Sequence, residues 1–205
     1  MTSQLEITAP GAIRRIQRIQ IVTIGWMTIE AGVSLWAAVR ARSPALLAFG
    51  GDSAIELLSA AVVLWRFRSR VSDEHAERRA GRITGFLLLA LVAYVVAVAA
   101  LTLLGYSEST PSYAGIVVLA VAAVVMPWLA REKRRLSSAT GSAALRADAA
   151  ESMLCAYLSV IALAGLAVRA FFRVAWADPV AALVIIPFIV AEARAALRGK
   201  PCGCC

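Results

Sequence analysis

Apolar residues run along this chain in six blocks, Ile19–Val39, Pro44–Trp65, Ile83–Gly105, Tyr113–Ala130, Arg146–Phe171 and Ala177–Ala193, each bounded by a polar or basic joint. A bilayer core of about 30 Å takes about 20 helical residues at about 1.5 Å each. The blocks are of that length, so the pattern predicts six spanning helices. A membrane barrel would show short segments in which apolar and polar residues alternate, and no stretch here does so. The reading is an all-α membrane protein with six transmembrane helices in one domain, residues 19–197. An amphipathic cytosolic segment, residues 1–18, precedes it, and a Cys-rich cytosolic tail, residues 198–205, follows.

Composition agrees: 60% of residues are hydrophobic and 17% charged, with a mean hydropathy of +0.76. A water-soluble domain cannot hide that much apolar surface, so lipid is the expected solvent. The net charge of +8 is explained by where the basic residues fall. Arg14, Arg15 and Arg18 precede the first block; Arg66, Arg68, Arg70, Arg78, Arg79 and Arg82 join the second to the third. Arg131, Lys133, Arg134, Arg135 and Arg146 join the fourth to the fifth, and Arg194, Arg198 and Lys200 follow the sixth. Positive joints stay in the cytoplasm, which predicts a multi-pass cell-membrane protein with both termini inside. The same placement argues against nucleic acid as a partner, since basic residues flanking spans serve orientation and lipid headgroups. Trp26, Trp36, Trp65, Trp128 and Trp176 mostly lie near block ends and read as interfacial anchors. The Ser137–Ser142 stretch reads as a flexible connector leading into the fifth helix.

The chemistry lies in the acids inside the blocks, because an ionisable side chain in a spanning helix is expensive unless it faces a partner or a wet cavity. In the second block Asp52 and Glu56 are four residues apart. That spacing puts both on one helix face, about 6 Å apart along the axis. In the fifth block Asp148, Glu151 and Cys155 follow steps of three and four and also share a face. The helices run antiparallel in the predicted topology, so Glu56 and Cys155 fall at similar depth and a site between the two helices is possible. Carboxylates with one thiolate suit Zn²⁺ first, with Mn²⁺, Co²⁺ or Cd²⁺ as other candidates, while Ca²⁺ asks for more oxygens and no sulfur. Such acids can instead pair with buried basic groups to fix packing, but no Arg or Lys falls mid-span to do so.

Glu30, in the first block, is a candidate to orient a ligand or to carry a proton rather than to grip metal. The tail thiols Cys202, Cys204 and Cys205 lie within four residues and can capture a soft ion if reduced. No permanently bound cofactor is expected, and an enzyme is disfavoured because Cys155 has no nearby His to activate it.

Three segments, GDSAIELLSAAVVLWRFR in the second block, GSAALRADAAESMLCAYLS in the fifth and WADPVAALVIIPFIVAEARAALR in the sixth, make the chain resemble the cation diffusion facilitator (cation efflux) superfamily, and especially small members without a cytosolic C-terminal domain. In that family an acidic or His residue followed four later by Asp meets a His/Asp-x-x-x-Asp pair on the fifth helix to bind the transported metal. Asp52 and Glu56 match the first pair, Glu151 and Cys155 fall on the second, and Asp148 matches the Asp of the family's Ala-Asp-Ala run. Glu and Cys at these positions depart from the family pattern and retain coordinating atoms. The resemblance implies a homodimer with six helices and both termini cytoplasmic that exports metal in exchange for protons. The rival reading is a membrane scaffold or sensor that binds metal without moving it.

Overall fold

The computed structural model describes residues 10–69, 74–140 and 143–198. Among them six helices follow one another: α1 Pro10–Ala41, α2 Pro44–Ser69, α3 Glu74–Leu103, α4 Tyr113–Thr140, α5 Ala143–Phe172 and α6 Ala177–Leu197. Among the described residues, α1, α3, α4, α5 and α6 are each long and apolar enough to cross a membrane. α2 carries Asp52 and Glu56, and it packs against α1, α3, α5 and α6. A helix with two acids needs protein rather than lipid around it, and the fold places it accordingly.

The core is built from side chains contributed by every helix, among them Met27, Phe49, Leu88, Met126, Leu158 and Ile185, all fully buried. The outer surface is equally apolar: Ile83, Phe86 and Leu104 around α3, and Val124 on α4, are exposed. In water such a surface would drive association; against lipid tails it is the expected coat of a multi-pass integral membrane protein.

The helices outrun the apolar blocks. α1 begins at Pro10, α3 at Glu74, and α4 continues to Thr140, because the backbone ladder has no reason to stop where the side chains turn polar. The expected connector at Ser137–Ser142 is therefore corrected: Ser137–Thr140 form the last turn of α4, with the Ser138 hydroxyl donating to the Arg134 carbonyl at 3.1 Å. Hydroxyls that bond back to the preceding turn can stay helical. Gly141 and Ser142 lie outside the described residues.

The joints at the other end are tight. α1 ends as Arg42 takes a φ of 51°, with the Ser43 N–H returning to the Ala38 carbonyl at 3.1 Å. α3 ends in a Schellman closure: Tyr106 N–H reaches the Leu101 carbonyl at 3.0 Å, Gly105 N–H reaches Thr102 at 3.2 Å, and Gly105 takes a φ of 81°. Ser43 also accepts the Leu46 N–H at 3.1 Å and donates to Asp178 Oδ1 at 2.8 Å. One hydroxyl thus caps α2 and ties it to the start of α6. Trp36, Trp128 and Trp176 are exposed, as anchors should be. Trp26 is not an anchor: it is partly buried, and its indole N–H donates to Glu30.

Candidate metal-transport site

On α2, Asp52, Ser53 and Glu56 are all buried. Asp52 Oδ1 has no hydrogen-bond partner among the described residues. Glu151 on α5 lies close enough to act electrostatically on both Asp52 and Glu56. Carboxylates from two helices therefore share one interior region, as the one-face spacings predict. A buried carboxylate oxygen with nothing to accept from is costly unless a cation or proton serves it.

The other two residues of the expected α5 trio are turned to different partners. Asp148 accepts from the Gln20 amide of α1 through Oδ2 and from the Lys133 ammonium of α4 through Oδ1, the latter at 2.9 Å. Lys133 and Asp148 are both shut off from solvent. This corrects two expectations at once: Lys133 is not a solvated joint residue, and a basic group does neutralise one of the interior acids. Lysine's four-carbon stem lets a residue near the Arg-rich end reach inward, which position along the chain does not reveal.

Cys155 is likewise fully buried, and its thiol donates to Glu30 Oε1 at 3.3 Å, with Ser53 Oγ 3.9 Å away. Glu30 also accepts from Ser53 Oγ at 2.8 Å and from Trp26. It forms a polar knot joining α1, α2 and α5 at the inner wall of the acid region. In this conformation no three His, Cys, Asp or Glu side chains among the described residues converge closely enough to grip an ion. The acids are gathered but not closed into a cage.

Sequence reading missed Glu192 of α6, which is electrostatically linked to Asp52, Glu151 and Glu56. Lying only six residues before Arg198, it reads as part of the basic end of the last helix; its partners come from helices remote in sequence. Gln20 and Ser152 were missed for the same reason. Ser152 lies between Asp148 and Glu151 on one side and Cys155 on the other, and its hydroxyl stands 3.3 Å from Glu56 Oε1. The tail thiols Cys202, Cys204 and Cys205 lie outside the described residues.

Against known proteins, the model of the cation efflux transmembrane domain matches residues 21–199. The chain belongs to the cation efflux family. The manganese efflux system protein MneS of Bacillus subtilis (strain 168) is 28% identical over 174 residues, which are 80% of this chain and 60% of that relative. The match runs through all six helices, so the interior acids described above sit within a cation efflux transmembrane domain rather than in an appended segment. The chain spans about 60% of the length of the manganese efflux relative.

Proposed function

We propose that this cation efflux protein exports a divalent cation from the cytosol in exchange for protons, and that the cargo is first held by Asp52, Glu56 and Glu151. The observation that carries this is the buried, unpartnered Oδ1 of Asp52, one turn from Glu56 and within electrostatic reach of Glu151. Carboxylates bind either protons or metal, so an ion entering releases protons and protons entering release the ion. The helices then rock to expose the site to the other side. On this reading the Arg-rich ends and both termini lie in the cytoplasm, an orientation that the basic joints support.

The donor set bears on which ion moves. The Cys155 thiol is engaged by Glu30 and both Asp148 oxygens are engaged by Gln20 and Lys133. What faces the cargo is then oxygen, which suits Mn²⁺ and moves the expectation away from Zn²⁺ as first choice. The manganese efflux relative agrees with that direction. Ligation by Asp148 and Cys155, expected from the sequence, would first require those partners to let go. A homodimer is the assembly expected for the working unit.

The test is flux into proteoliposomes with a pH gradient, comparing Mn²⁺, Zn²⁺, Co²⁺ and Cd²⁺, with Asp52→Asn as the control. Flux that follows the proton gradient and vanishes in Asp52→Asn supports the proposal. Metal binding by intact protein with no flux of any of the four ions would establish the scaffold or sensor reading instead.

A further inference from the structure

Lys133 is a buried cation beside a site meant for cations. Its side chain is fully excluded from solvent, with Nζ 2.9 Å from Asp148 Oδ1 and 2.8 Å from Ser152 Oγ. An ammonium only donates, so Ser152 accepts from it and keeps its own proton to offer. That proton is shared between Glu56 Oε1 at 3.3 Å and the Asp148 carbonyl at 3.1 Å. Gln20 closes the other side by donating to Asp148 Oδ2. One node therefore ties α1, α2, α4 and α5, and it sets a positive charge one hydroxyl away from Glu56.

Neutralising Asp148 needs only the ion pair. The second contact, through Ser152 to the α2 acid, gives the ammonium a line to the cargo site. The node also lies on the side of the acids toward the Arg-rich end: Asp148 precedes Glu151 on α5, and Lys133 sits in the last turns of α4.

We propose that Lys133, held in place by Asp148 and Gln20, is a tethered cation that competes with the incoming divalent ion for the α2 acids and so sets the affinity of the site. This rests on the transport reading for its purpose, but its binding test does not depend on flux. Lys133 acts through Ser152 and is a positioning residue. With the ammonium in place the empty acids are partly neutralised; when it is displaced the site closes on the ion, and its return helps to expel the ion. Repulsion between a unit charge and a divalent ion a few ångströms apart, at an effective dielectric of about 20, is worth at least about tenfold in binding.

The experiment uses the full chain in lipid nanodiscs for Mn²⁺ titration and in liposomes for Mn²⁺ flux. Lys133→Gln keeps hydrogen-bonding capacity without charge, and is expected to bind Mn²⁺ at least about tenfold more tightly and to show a lower KM with a lower maximal rate. Lys133→Arg keeps the charge and is expected to bind Mn²⁺ more weakly than Lys133→Gln, since the repulsion stays in place. Lys133→Gln/Asp148→Asn, neutral throughout and suited to a chain that cannot tolerate an unpaired Asp148, is expected to tighten binding in the same direction by about threefold. Unchanged Mn²⁺ affinity in both neutral variants would reduce Lys133 to a packing ion pair and overturn the proposal. Tightened binding in a chain that moves no ion would sustain the role of Lys133 while removing the transport reading.

Discussion

Removing one partner of the Lys133–Asp148 pair should cost far more stability than removing both. The pair is 2.9 Å long, and its side chains are 0% and 1% exposed. Lys133→Met leaves the Asp148 carboxylate buried with only Gln20 to serve it, and an uncompensated buried charge costs about 3–5 kcal/mol. Asp148→Leu strands the ammonium, with only the Ser152 hydroxyl left, at a similar cost. The double variant leaves no charge behind and forfeits the hydrogen bonds to Gln20 and Ser152, each worth about 1 kcal/mol. The two single losses should therefore fail to add by several kcal/mol. A built-in comparison is Arg15–Glu132, 3.3 Å long with side chains 68% and 16% exposed, where solvent screening holds the coupling to about 1 kcal/mol or less. The assay is a double-mutant cycle for each pair, by reversible unfolding of the purified chain in mixed detergent micelles. If the two cycles return the same small coupling, the buried pair does not exist as described, and the reasoning about Lys133 falls with it.

Other outcomes follow from the packing and the caps. A Cβ on Gly165 would run into Ala181 and come within 3.2 Å of the Ala177 carbonyl, so Gly165→Val should force α5 from α6 and cost about 1–3 kcal/mol. Gly25→Ala, with nothing within 4 Å, should be neutral or slightly stabilising in the same micellar unfolding assay. Gly105→Ala places a Cβ at a φ of 81° and should lower stability by about 1 kcal/mol, read by loss of protection in amide exchange at the end of α3. Cys155→Ser can still donate to Glu30, so Mn²⁺ flux should stay within about twofold if the thiol is not a ligand. A large fall in Mn²⁺ flux would return Cys155 to the coordination set.

The six helices were legible because lipid imposes one strong rule: every backbone group must be satisfied within the segment, so a run of about 20 apolar residues has little choice but to be a helix. Helix-face periodicity then paired Asp52 with Glu56 and grouped Asp148, Glu151 and Cys155 before any coordinates. The ends were less legible. Hydropathy marks where a helix leaves the hydrocarbon, not where its hydrogen bonding stops, so Ser137–Thr140 looked like a joint and is a helical turn.

What sequence determined by itself, then, was local: helix number, the acid-bearing faces and the family pattern, all set by residues within a few turns of one another. Partner choice was decided only in three dimensions. Periodicity says that Asp148 and Cys155 face inward with Glu151, but not that a lysine 15 residues earlier folds back onto Asp148. Nor does it say that Glu30, 125 residues away, takes the Cys155 thiol, or that Glu192 joins the acids of α2. Those pairings depend on which helices become neighbours and at what rotation, and a long side chain such as lysine's can cross several ångströms that no spacing rule records. In a membrane interior, where an unpaired charge is so costly, that final choice of partner separates a group free to meet cargo from one already occupied.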